Sequence, residues 1–200
     1  MIRKCFIRGE EQVEKTAVIY KSKYGHTKQY AEWIAESLEA DLFEEDKIKS
    51  SELACYDKII YGGGLYAGGI NGADLISKNF QSIKNKNLIV FTVGLASPED
   101  PSIYTAIIEK AFTEEMRKNI KFFHFRGGIN YKELGMIHKG MMAMLKKMVE
   151  KKKEEEMTEE DKQMLATYGA QVDFSDRKSV EPLLKYVLEM EKESKKFRED

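Results

Sequence analysis

Thr16-Ala17-Val18-Ile19-Tyr20-Lys21-Ser22-Lys23-Tyr24-Gly25-His26-Thr27 reads as a strand, a turn and the opening of a helix. The apolar, β-branched run up to Lys21 suits a buried strand. Just beyond the turn, Ala31, Ile34, Ala35 and Leu38 recur at helical spacing and give the next element one apolar face. The turn Ser22 to Thr27 therefore lies between a strand's carboxyl end and a helix's amino end. Unpaired N–H groups and the positive end of the helix dipole make that place an anion site. Ser22 and Thr27 add hydroxyls, Gly25 allows close backbone approach or a positive φ, and Lys23, His26 and Lys28 bring potential positive charge. The alternative is a plain helix start with Thr27 as N-cap and nothing bound.

Outward from this stretch, short apolar runs alternate with helical patterns, the signature of crossover units that build a parallel sheet. The chain is predicted to be an α/β three-layer sandwich, a five-stranded parallel sheet in the order 2-1-3-4-5 with helices on both faces. Strand one is Thr16 to Lys21, strand two Ala40 to Glu44, strand three Lys58 to Tyr61, strand four Asn87 to Val93 and strand five Lys121 to Phe125. Helices are expected from about Gly72 to Phe80, around Ile103, Ile107 and Ala111, and at the end through Val180, Leu183, Leu184, Val187 and Leu188. Between strand five and the last helix the chain uses 126–168 where a short connection would serve, so this is read as an insertion. Its Met141, Met142, Met144, Leu145 and Met148 suit core or dimer packing, or a face for a partner or a membrane surface. Residues 1–15 are read as an N-terminal extension, and 16–200 as a single domain.

The whole chain sets limits on function. It carries 33 Lys and Arg against 34 Asp and Glu, so no basic field favours nucleic acid. Cys5 and Cys55 are too far apart in sequence to suggest a zinc site or a disulfide framework, and the usage fits a reducing, cytoplasmic setting. His26, His124 and His138 lack metal-ligand spacing. No apolar run of transmembrane length and no signal-peptide core occurs.

Ligands of an open parallel sheet bind beyond the carboxyl ends of the strands, where the winding reverses. Three loops are expected there. The first is the anion nest. The second, Gly62-Gly63-Gly64-Leu65-Tyr66-Ala67-Gly68-Gly69, offers flexible backbone and one aromatic ring. The third starts at Thr92-Val93-Gly94-Leu95 and runs through Pro98 to Pro101. Together they suit a flat, amphipathic ligand with a terminal phosphate, and flavin mononucleotide has that shape. Stacking on Tyr66 would add about 0.5–1.5 kcal/mol beyond area burial. Gly62 to Ala67 also satisfies a dinucleotide fingerprint, but it follows the third strand and no acidic residue ends the next one. The first turn lacks the Gly-Lys-Ser/Thr ending of a triphosphate loop. No side chain stands out as a general acid or base, and no hydrolytic constellation is visible.

These residues resemble the flavodoxin family. Ser22 to Thr27 is similar to its phosphate loop, Tyr56 to Tyr66 to its third strand and first ring-binding loop, and Thr92 to Leu95 to the start of its second. The resemblance runs from about Thr16 to Met190. Phe123-His124-Phe125-Arg126-Gly127-Gly128, the long segment after strand five and Tyr168 to Asp176 look closest to the menaquinone-dependent protoporphyrinogen oxidase branch. The resemblance implies non-covalent FMN held by Ser22, Lys23, Tyr24, Gly25, His26, Thr27, Gly63, Gly64, Leu65, Tyr66, Ala67, Gly68, Thr92, Val93, Gly94 and Leu95. It implies redox work with a partner protein or a flat substrate such as a quinone or porphyrinogen, the chemistry being the flavin's own. Glu99 and Asp100, if near the ring, would lower its potential. A flavin-free scaffold that binds partners through the Met-rich insertion is the alternative.

Overall fold

A computed structural model of the chain describes residues 14–66, 68–98 and 101–199. Most of 1–15, together with Ala67, Glu99 and Asp100, lies outside the described residues. The fold is α/β with a parallel sheet between two helical layers. β1 (Thr16–Lys21) leads through α1 (His26–Leu38) to β2 (Asp41–Glu44), and β3 (Lys58–Tyr66) follows two short 3-10 turns. A two-residue strand β4 (Gly69–Ile70) then precedes α2 (Asp74–Ile83), β5 (Asn87–Gly94), α3 (Pro101–Ala111), α4 (Glu114–Asn119) and β6 (Ile120–Arg126). The order is β2-β1-β3-β5-β6, which is the predicted 2-1-3-4-5 winding once the small β4 is set aside. β4 folds back antiparallel on the end of β3, pairing Leu65 with Ile70.

Side chains alternate across each strand, so β1 feeds two cores. Ala17 and Ile19 point into the layer of α2, with Ile76, Phe80 and Ile83, where Ile107 and Ala111 of α3 also pack. Val18 and Tyr20 point into the layer of α1 and α7 (Glu181–Glu199), with Ile34, Leu183 and Val187. The side chain of Ile103 is not described.

Strand three is longer than the sequence predicts. Gly62, Gly63 and Gly64 are not loop but ladder, paired in register with Phe91, Thr92 and Val93 of β5. Glycine has low strand propensity, which is why the run looked like a turn. Its reason is packing: a Cβ on Gly62 would stand 2.1 Å from Cζ of the fully buried Phe91. β3 thus runs on to Tyr66, and β4 begins at Gly69.

Two further differences lie after β6. β7 (Gly128–Asn130) and β8 (Gln171–Asp173) form an antiparallel ribbon, each strand too short to leave a periodic signal. Between them run α5 (Met136–Glu150) and α6 (Glu159–Thr167). α5 does not sink its methionines into the core: Met136 is 90% exposed, and Met144 and Met148 are exposed as well. Among the described residues no helix is long and apolar enough to cross a membrane.

Candidate functional site

α1 begins without a side-chain cap. Its N-cap is Gly25, at φ 93° and ψ −34°, and Thr27 is not the cap but a buried residue of the first turn. Ser22 shapes the turn by accepting the Gly25 N–H through Oγ at 3.1 Å. Among the described residues the N–H groups of His26, Thr27 and Lys28 meet no acceptor, and the first turn holds no acidic side chain. The arrangement is an open row of donors at the positive end of a helix. The space over Gly25 is empty, since a Cβ there would find no heavy atom within 4 Å.

The charged side chains around the nest face elsewhere. Lys28 approaches Glu32 at 3.7 Å, and Lys23 lies 5.8 Å from the centre of the Tyr24 ring. His26 turns to the β7–β8 ribbon, with Nδ1 3.1 Å from Ser175 Oγ and 3.5 Å from Asp173 Oδ1. It thereby ties the start of α1 to the ribbon from which the insertion springs.

The ends of β3 and β5 meet the nest at a small cavity of about 150 Å³, where Tyr24, His26, Thr27, Leu65, Tyr66, Val93, Gly94 and Leu95 come together. Ser22, Lys23, Gly25, Gly63, Gly64 and Gly68 shape the backbone around it. Thr92 does not reach it; its buried Oγ1 pairs with His124 Nδ1 at 2.6 Å. The sequence reading missed the other wall. His138, Met141 and Met142 of α5 stand over the cavity, with Gly127, Gly128 and Ile129 of the ribbon beside them. Tyr66 and His138 are stacked at 5.7 Å, 6° from parallel, and Tyr24 meets both rings edge-on. Tyr24 Oη lies 2.5 Å from His138 Nδ1. Burial pushes the Tyr66 hydroxyl pKa up, while the Lys23 backbone N–H beside it pulls the other way.

His124 sits one layer below. It stacks on Tyr104 at 3.8 Å, and burial pushes its pKa down to about 4. The neutral imidazole is therefore the folded form near neutrality, whereas the unfolded chain takes up the proton near pH 6.5. The unfolded state binds more protons between those values, so stability falls as pH drops from about 6.5 to 4. Urea denaturation across that window should show this slope, and His124→Gln should flatten it; an unchanged slope in the variant would assign the effect to other groups.

The flavodoxin domain family matches residues 17–156. No curated protein matches the chain. Among solved structures it is similar to the flavodoxin, WrbA-like protein from Agrobacterium tumefaciens, at 27% identity over 55% of this chain and 76% of that one, TM-score 0.40. It is also similar to the Trp repressor binding protein from Bacillus subtilis, at 20% identity over 58% and 85% of the two chains, TM-score 0.44. Oxidised Flavodoxin 1 from Bacillus cereus shares 17% identity over 56% and 84%, TM-score 0.39. With the family's match spanning well over half of the sequence, the chain belongs to the flavodoxin domain family.

Proposed function

We propose that the chain binds FMN without a covalent bond at this edge and exchanges electrons with a redox partner or a flat substrate. The observation that carries the reading is the uncapped start of α1, with open donors around Gly25 and empty space above them. Membership in the flavodoxin domain family supports flavin as the ligand. In this reading Ser22, Lys23, Tyr24, Gly25, His26 and Thr27 hold the phosphate, largely through backbone. Gly63, Gly64, Leu65, Tyr66 and Gly68 flank one side of the ring, and Val93, Gly94 and Leu95 the other, with Thr92 contributing backbone alone. Residues 16–200 act as one domain, with 126–168 as an insertion that roofs the site.

The phosphate end fits as it stands; the ring end fits once Tyr66 and His138 part. Stacked layers sit about 3.5–4.0 Å apart, so a ring between two aromatic faces needs about 7 Å, and here the two centres are 5.7 Å apart. When bound, the flavin supplies one- or two-electron chemistry. The chain orients its ring, excludes water with Met141, Met142 and Ile129, and holds a proton between Tyr24 Oη and His138 Nδ1. A quinone or a porphyrinogen suits a roofed site of this kind, in keeping with the resemblance of 123–128 and 168–176 to the protoporphyrinogen oxidase branch. Met136, Ile137, Met144 and Met148 on the outer face of α5 are the part offered to a partner protein, a second copy or a membrane surface. The same 5.7 Å stack favours a second reading, a scaffold whose aromatic side chains replace the flavin.

Titration of the purified, flavin-free protein with FMN and with riboflavin separates the two. FMN should bind at least tenfold more tightly than riboflavin and give a yellow complex that bleaches under dithionite. A colourless protein that ignores both flavins would leave the scaffold reading.

A further inference from the structure

The insertion encloses a second cavity of about 500 Å³, between α5, α6, the β7–β8 ribbon and the loop after β5. It shares Leu95, Ile129 and Met142 with the first, so the two chambers are separated by a single wall of apolar side chains. Its size falls within the usual range for small-molecule sites. Leu145, Val149, Met164, Val172 and Phe174 give the remaining lining an apolar part, beside the polar groups of Arg126, Lys152, Thr158, Asp161, Gln163 and Thr167.

One group in that lining is out of balance. Arg126, half-buried at the end of β6, lies over Phe174 with its guanidinium carbon 4.0 Å from the ring centre. Its Nε donates to the Leu95 carbonyl at 3.0 Å, and Nη2 to Gln163 Oε1 at 2.9 Å. Both acceptors are neutral. Arg117 and Arg177 each have a carboxylate, at 3.8 Å from Glu109 and 2.7 Å from Glu36, whereas Arg126 has none within 4 Å among the described residues. The other charges on the lining cancel: Lys152 Nζ is 2.7 Å from Asp161 Oδ2, which also accepts the Thr158 N–H at 3.0 Å. Among the described residues the chamber thus carries one arginine without a carboxylate, set against the apolar part of the lining, and its planar fork matches a carboxylate.

We propose that this chamber is a binding site for an apolar monocarboxylate, its carboxylate on Arg126 and its hydrocarbon or aromatic body among Leu145, Val149, Met164 and Phe174. The proposal deepens the functional reading above, since a ligand there abuts the ring end of the flavin site through Leu95 and Met142. One cation without a carboxylate calls for one carboxylate, and a second would find the other described cation of the lining, Lys152, already paired with Asp161.

Calorimetry on the full chain tests this with 2-naphthoate as probe, naphthalene-2-carboxamide as its neutral counterpart and naphthalene-2,6-dicarboxylate as the dianion. The naphthoate should bind one to one, at least tenfold more tightly than either of the others, and Arg126→Gln should abolish that preference. Leu145→Trp, which fills the chamber from a half-exposed position, should abolish binding of all three. Equal affinity for acid and amide, tighter binding of the dianion, or naphthoate binding that survives in Leu145→Trp would each overturn the proposal. Thermal melts of both variants verify that they fold. The probe needs no flavin, so naphthoate binding to a protein that ignores FMN would sink the redox reading and leave this site standing; FMN uptake without naphthoate binding would do the reverse.

Discussion

Lys58→Met is expected to melt on the order of 10 °C below the parent chain, from a loss of about 3–5 kcal/mol. Lys58 opens β3 and is fully buried, at the amino edge of the sheet, opposite the nest. Its ammonium group joins Glu14 Oε2 at 2.5 Å and Glu191 Oε1 at 2.8 Å, the latter from α7. Methionine keeps most of the volume and removes the charge, leaving two partly buried carboxylates without their common cation. Removing one partner of a buried ionic group is costly because the remaining charge is stranded, even where the intact group adds little net stability. Adding Glu14→Gln and Glu191→Gln to the variant should therefore recover most of the loss. Differential scanning calorimetry of the parent, the single variant and the triple variant decides the matter. A single variant that melts with the parent would show both carboxylates reaching water unaided. FMN affinity measured well below the melt should not change, because the clasp and the nest are at opposite ends of the strands.

Nothing in the sequence announced that clasp. A lysine at the start of a strand looks like a polar boundary, and its partners are distant in sequence, in the N-terminal stretch and the last helix. The β1 to α1 stretch was legible because its signals are local: an apolar run, a turn rich in hydroxyls and glycine, then apolar residues at helical spacing. The winding order followed from the same alternation. The glycines of β3 were misread because their reason is in another strand, where the Phe91 ring occupies the space a side chain on Gly62 would need.

The insertion shows the same limit at the site. The pattern of α5 predicts an amphipathic helix but not which surface it covers. In the structure Met142 and Val149 turn inward while Met136, Met144 and Met148 stay in solvent. His138 carried no spacing signal at all, and only the chain's return over the carboxyl edge brings it to Tyr24 and Tyr66. The phosphate end of the candidate site could be read in advance because one helix start contains it. The ring end could not, because it is assembled from elements that meet only in three dimensions.

Gly25→Val should lower FMN affinity roughly a hundredfold while leaving riboflavin affinity within about twofold, an estimate that follows from losing charge-assisted N–H contacts to the phosphate. At φ 93° and ψ −34° the backbone of Gly25 has a conformation that a β-branched residue rarely adopts. Valine there either strains the turn by about 1–2 kcal/mol or shifts it to negative φ, which turns the donors of the first helical turn away from a common point. The surrounding space is open, so a clash is not the cause. Gly25→Ala should give an intermediate loss, and the thermal melt of the flavin-free protein should move less than its FMN affinity does, since the turn is exposed. Because riboflavin lacks only the phosphate, the ratio of the two affinities isolates the nest from the ring slot. If both flavins weaken equally, Gly25 acts through the position of α1 and Tyr24 instead. If neither weakens, the phosphate is not held at the start of α1.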